Sequence, residues 1–118
     1  MFFLFVYYCL IILYINISVV KTSPPEIASL DATLTVEKDE SYALVCRLLK
    51  GTKPVRFEWF KNGLILNHKE ERLFIESKPS ISNLNFEPIR NDDSANYSCR
   101  AVNNHGQDIK WTYLQVKG

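Results

Sequence analysis

"DDSANYSC", residues Asp92 to Cys99, places an acidic pair, a tyrosine and a cysteine in close order near the end of the chain. A cysteine in an exported domain needs a partner, and a tyrosine two positions earlier on an extended strand faces the same side as that cysteine. The rest of the sequence has to supply the partner. Cysteines stand at positions 9, 46 and 99. Cys9 lies inside an apolar leader, "MFFLFVYYCLIILYINISVV", which holds no Asp, Glu, Lys or Arg. Without that leader the chain keeps Cys46 and Cys99, and an even pair in an exported domain of this size reads as a disulfide. Closing so long a loop would contribute roughly 4 kcal/mol by chain-entropy arithmetic.

The leader, residues 1–22, admits two readings. It is long for a secretory core, lacks a basic n-region and shows no small-x-small cleavage site, which fits an uncleaved signal anchor. A bilayer crossing takes about 20 apolar residues, and Asn16 and Ser18 polarise the end of this run. A cleaved signal peptide is the favoured reading. Either way residues 24–117 are expected to form one domain in an oxidising compartment, secreted or at the cell surface. Membrane association is expected only through the N-terminal segment or an anchor beyond the C-terminal end of this sequence. With 118 residues there is room for one domain, and 23% charged and 47% hydrophobic residues fit a globular chain. A formal net charge of +1 offers no basic stripe for phosphates, so nucleic acid is not an expected partner.

Beyond Pro24-Pro25 the apolar pattern has a period of two and is broken by regular turn signals. "SYALVCRLL" puts Leu44, Cys46 and Leu48 on one face; "VRFEWF" puts Val55, Phe57 and Trp59 opposite Arg56, Glu58 and Phe60. Asn62-Gly63 follows, a strong hairpin signal because both residues tolerate positive φ. "RLFIES" and "SNLNFEPI" give two more strands, the second with Leu84 and Phe86 inward. "ANYSCRAV" alternates Tyr97, Cys99 and Ala101 inward, "NNHGQ" is a tight turn, and "IKWTYLQV" sends Thr112, Leu114 and Val116 to one face. Short alternating strands without helical periodicity predict two packed antiparallel sheets.

The order of Cys46, Trp59, Leu84, Asp93, Tyr97 and Cys99 resembles an immunoglobulin superfamily domain of the I-set type, over Pro24 to Val116. The resemblance implies an all-β, two-sheet Greek-key sandwich in which Cys46 and Cys99 tie the sheets together and Trp59 packs on the bond. It makes Tyr97 a tyrosine corner whose hydroxyl returns to the backbone, with Leu84 in the core. Asp93 suits that corner as a turn-former. Ala95 departs from the family, which usually has glycine there. "SPPEIASL", "GTKPVRFEWFKNG" and "LQVKG" are similar to stretches of the arthropod Down syndrome cell adhesion molecules (Dscam).

Residues that could carry chemistry are sparse. His68 and His105 fall in different loops without ligand-spaced partners, so no metal is expected. Glu70 and Glu71 point apart on an extended chain and cannot share a proton. Asp92 and Asp93 are too few oxygens for calcium. No nucleophile has a base, so neither enzymatic activity nor a cofactor is expected. Asn96-Tyr97-Ser98 is an N-glycosylation sequon with Asn96 outward by parity, whereas Asn16-Ile17-Ser18 lies inside the leader. The parity that buries Thr112, Leu114 and Val116 turns Ile109, Trp111 and Tyr113 outward, on the same face as Arg56, Glu58, Phe60, Arg100 and Val102. Aromatics and arginine are typical of protein interfaces. This makes Phe60, Arg100, Trp111 and Tyr113 the interface candidates. A bulge that reversed the parity would instead bury Trp111.

The expected function is therefore an extracellular binding module of a cell-adhesion or recognition protein. The Dscam resemblance implies homophilic contact, or contact with another cell-surface protein, in neuronal recognition such as axon guidance. The alternative is a small secreted single-domain protein that captures a heterologous ligand, such as an immune factor. Under non-reducing conditions, mass spectrometry of the exported protein should find one Cys46–Cys99 linked peptide pair. Alkylation of Cys46 in native protein would contradict the pairing.

Overall fold

A computed structural model of the chain describes Phe3, Leu4, Val6, Tyr7, residues 21–67 and residues 70–118. Cys9, the Asn16 sequon, the end of the leader and His68 lie outside the described residues. The strands are β1 (Glu26–Ile27), β2 (Thr33–Glu37), β3 (Tyr42–Lys50), β4 (Arg56–Lys61), β5 (Leu64–Leu66), β6 (Leu73–Lys78), β7 (Ile81–Phe86), β8 (Ala95–Asn103) and β9 (Gly106–Lys117). A short 3-10 turn, Asn91–Asp93, precedes β8.

They form two sheets, one in the order β1-β3-β7-β6 and the other β2-β9-β8-β4-β5. All pairings are antiparallel except β2 with β9, which run parallel from Thr33↔Tyr113 to Glu37↔Lys117. Half-buried strands must hide one face each, and the two sheets do this against one another. Leu44 and Cys46 of β3 and Leu84 and Phe86 of β7 meet Trp59 of β4, Tyr97, Cys99 and Ala101 of β8 and Leu114 of β9 in one core. The all-β two-sheet sandwich is thus present. Three of its strands, β1, β2 and β5, are absent from the period-two reading. They are edge strands of two to five residues, too short for alternation to stand out.

The hairpin between β4 and β5 turns on Asn62 (φ 51°) and Gly63 (φ 79°), the two consecutive positive-φ positions a type I′ turn demands. Asn-Gly meets that demand at low cost.

The two sheets are tied twice at one level. The Cys46–Cys99 disulfide joins β3 to β8, with Cα atoms 6.3 Å apart. Trp59 pairs in register with Cys99, and Ser82 pairs with Cys46. Across the gap Trp59 Nε1 donates to Ser82 Oγ at 2.9 Å, and Ser82 Oγ lies 2.7 Å from Ser77 Oγ. The indole thus buries its ring without leaving its one donor unsatisfied.

A second fixed point lies at the entrance to β8. Tyr97 Oη donates to the Asp93 carbonyl at 2.6 Å, and the Tyr97 ring meets Phe86 edge-on with centroids 5.6 Å apart. Asp93 does more than form a turn. Its buried carboxylate accepts from Arg72 Nη1 at 2.7 Å, Arg72 Nη2 at 3.1 Å and Arg90 N at 2.7 Å. Arg72 Nη1 also reaches the Pro88 carbonyl at 3.1 Å. The carboxylate's hydrogen bond, outweighing the cost of burial, raises the guanidinium pKa further above its ordinary value. Burial, and next the Asp93 charge, push the Tyr97 phenol well above the tyrosine range. Ala95 is buried opposite Leu114, and its methyl is part of the core.

Trp59→Ala should destabilise by about 3–5 kcal/mol in chemical denaturation, and Tyr97→Phe by about 1–3 kcal/mol for the lost corner bond. An unchanged midpoint for Trp59→Ala would contradict its place in the core. Because the fold raises the Tyr97 pKa, the folded chain keeps a proton that the unfolded chain loses. The stability contributed by this group is intact below about pH 10 and declines as pH rises above it. Wild type should therefore lose stability more steeply than Tyr97→Phe above about pH 10.

Candidate functional site

Strand register determines which side chains share the outer face of the five-stranded sheet, because directly opposed residues point to the same side. Three rows result. Glu58, Arg100 and Ile109 form one across β4, β8 and β9. Ile65, Phe60, Ser98 and Trp111 form the next across β5, β4, β8 and β9. Asn96, Tyr113 and Thr33 form the third across β8, β9 and β2. β9 carries no bulge against β8, so Thr112 and Leu114 are buried while Trp111 is 57% and Tyr113 42% exposed. Thr112 Oγ1 meets its inward position by donating to the Asp31 carbonyl at 2.6 Å.

The middle row is largely apolar. Ile65 is 48% exposed at its outer end. The Arg100 guanidinium lies over the Phe60 ring, 5.2 Å from the centroid, a cation–π contact between the two side chains. Arg100 is held in turn by Glu58, whose Oε1 accepts from Arg100 Nε at 3.0 Å and Nη2 at 2.8 Å. Arg56 Nη2 approaches the same oxygen at 3.6 Å. Between the aromatic walls, buried Ser98 floors a shallow depression of about 180 Å³ lined by Phe60, Gly63, Ser98, Arg100, Ile109 and Trp111. The face therefore presents a fixed hollow beside a projecting indole.

The outer face of the other sheet differs. Its rows, Ala43–Asn85–Phe74, Val45–Asn83–Glu76 and Arg47–Ile81–Lys78, each carry a polar or charged side chain. Asn85 Nδ2 donates to Glu76 Oε1 at 3.0 Å across two of them. Its exposed large hydrophobics, Val45 and Leu49, stand on either side of Arg47 along β3.

The structure places the named residues as follows. Cys46, Cys99, Trp59, Tyr97 and Leu84 are in the core. Phe60, Arg100, Trp111 and Tyr113 share the outer face of the β2-β9-β8-β4-β5 sheet, and exposed Asn96 stands on that face in register with Tyr113. Ile65 and Ser98 complete it and were not anticipated. The Asn-Gly hairpin was the signal for Ile65, since a two-residue turn returns the chain so that Ile65 meets Phe60. Asp93 is occupied by Arg72 and Tyr97, and His105 is exposed in the β8–β9 turn. Among the described residues no three His, Cys, Asp or Glu side chains gather as a metal site.

Comparison with known proteins agrees with this architecture. A family model described as an immunoglobulin domain matches residues 24–103. Junctional adhesion molecule A of Homo sapiens is 26% identical over 98 residues, covering 78% of this chain and 33% of that protein. Titin of Drosophila melanogaster is 32% identical over 88 residues, 72% of this chain and 0% of that much longer protein. The crystal structure of the Dscam1 Ig7 domain, isoform 5, superposes with a TM-score of 0.69 at 26% identity, covering 80% of this chain and 97% of that domain. The chain spans at most about a third of the curated relatives named here.

Because Trp111 and Tyr113 project from the sheet, replacing both with serine should leave thermal unfolding cooperative and cost no more than about 2 kcal/mol, about 0.2–1 kcal/mol for each lost cross-strand pair. A double mutant that fails to fold would show that the two rings support the core.

Proposed function

The chain belongs to the immunoglobulin-domain family, and from that premise we propose that it is an extracellular recognition module that binds a second copy of itself through the outer face of the β2-β9-β8-β4-β5 sheet. Immunoglobulin domains are non-catalytic modules that bind proteins, so the question is which surface binds. One observation carries the choice: the row Ile65–Phe60–Ser98–Trp111, in which exposed Ile65 and Trp111 and half-exposed Phe60 flank a hollow floored by buried Ser98, with the Trp111 indole as one of its walls. Exposed apolar groups in a continuous strip mark interaction sites.

Self-association suits that strip. A two-fold contact needs one patch that holds both a projection and its receptor, because each copy presents the same surface. Trp111 and the Ser98 hollow meet this requirement. Glu58, flanked by Arg56 and Arg100, also gives the face charges of both signs to set against a second copy. Stable, specific interfaces bury about 800 Å² per partner, so a contact confined to this strip would be weak between single domains. Linked or clustered copies would gain by avidity.

The disulfide supports an exported location, since such bonds persist in oxidising compartments. This favours the cell-surface relatives over titin as the guide to setting. Likeness to junctional adhesion molecule A and Dscam1 supports cell–cell adhesion, with neuronal recognition and axon guidance as the Dscam-like setting. In the same reading residues 1–22 direct export and residues 24–117 are the domain.

The test is analytical ultracentrifugation and bead aggregation with any N-glycan removed enzymatically. Wild type should self-associate, and the Trp111→Ser/Tyr113→Ser chain, folded, should do so at least tenfold more weakly. A folded double mutant that associates like wild type would place the contact elsewhere. A monomeric wild type that captures a different cell-surface protein through this face would replace self-recognition with heterologous binding.

A further inference from the structure

The sequon of β8 and the proposed contact face occupy the same surface. Asn96 is exposed and stands directly opposite Tyr113, one row from Ser98 and Trp111. Opposed side chains on antiparallel strands have Cβ atoms about 4.5–5.5 Å apart, and the next same-face position along a strand is about 7 Å away. The Asn96 backbone is tied down: its N–H donates to Asn62 Oδ1 at 3.1 Å and its carbonyl accepts from Asn62 N at 2.7 Å. Its side-chain amide makes no hydrogen bond among the described residues. An unengaged, outward asparagine amide is thus held one row from Ser98 and Trp111, which line the hollow.

We infer that Asn96 carries an N-linked glycan in part of the exported protein, and that this glycan blocks self-association by covering the Trp111–Tyr113 side of the face. The inference rests on the proposed self-recognition surface and names its regulation. In the transfer, Asn96 Nδ2 displaces the diphosphate from the anomeric carbon of a lipid-diphosphate-linked oligosaccharide. The C–N bond forms, the C–O bond breaks with its electron pair leaving on the lipid diphosphate, and the amide gives up one proton to a base. No oxidation or reduction occurs. A bulky, strongly hydrated substituent then stands within one residue pair of both exposed aromatics.

Timing follows from the third sequon residue. Ser98 is 2% exposed, closed in between β4 and β9. An acceptor sequon has to be open to the transferring enzyme along its three residues, and N-x-[ST] belongs to surface chain, so in this inference modification precedes the pairing of β8 with its neighbours. Occupancy is then set once, during synthesis, and the folded domain keeps whichever state it received. The exported pool divides into a glycosylated, non-adhering form and a bare, self-associating one.

The full chain expressed through a secretory pathway tests this. Peptide-N-glycosidase should lower the mass of part of the pool and convert Asn96 to aspartate in the recovered peptide. Sedimentation should show the glycosylated fraction monomeric at concentrations where Asn96→Gln and the bare fraction associate, at least tenfold apart. Asn96→Gln combined with Trp111→Ser/Tyr113→Ser should return to monomer. An unmodified Asn96 in the entire exported pool would overturn the inference. So would equal association of glycosylated protein and Asn96→Gln; if the aromatic mutant still weakened both, the contact face would stand and only its blocking by glycan would fall. Glycosylated and bare forms that are both monomeric would overturn the face and its regulation together.

Discussion

Everything outside the core follows from the double tie between the sheets at the level of Cys46 and Cys99. The covalent bond and the Trp59–Ser82 hydrogen bond join the same two residue pairs, Cys46↔Ser82 on one sheet and Trp59↔Cys99 on the other. One constrains the unfolded chain by closing a long loop. The other acts only in the folded state, where it supplies the partner that a buried indole N–H requires. Their coincidence at one point fixes sheet spacing, and with it the side to which every residue of β3, β4, β7 and β8 must turn.

The surface is a consequence of that constraint. Side chains alternate along a strand, so committing Cys99 and Tyr97 inward commits Asn96, Ser98 and Arg100 outward. Slipping β9 by one residue would exchange Leu114 and Thr112 for Trp111 and Tyr113 across its whole length. Leu114 at its core position, with the Thr112 hydroxyl bonded to Asp31, opposes such a slip. The outer face thus needs no separate architecture. It consists of the residues that the core register leaves outside, supplied with large aromatic side chains.

Most of the sandwich was legible because its decisive residues are chemically uncommon and stand on inward positions of alternating strands: two cysteines, a tryptophan and a tyrosine. The outward face was legible for the same reason, since parity on β8 and β9 can be counted from Cys99 and Leu114. What escaped depends on partners distant in sequence or on very short elements. Asp93 read as a turn residue because nothing local announces that Arg72, two strands earlier, will fold back on it. Ser82 is a small hydroxyl among several, and only the meeting of sheets gives it Trp59. Ile65 belongs to a three-residue strand whose membership of the face comes from hairpin geometry rather than from its own pattern.

The parallel ladder of β2 and β9 has a mechanical consequence. These two strands lie toward opposite ends of the chain yet run in the same direction over five residue pairs. A tension applied to the two ends pulls β2 backward and β9 forward along one axis. The ladder is therefore loaded in shear, all of its bonds at once, instead of being unzipped one at a time. Should it yield, the covalent link between residues 46 and 99 stops the chain between them from paying out. Resistance to load is then concentrated in the edge pairing, and extension after failure is capped by the cross-link.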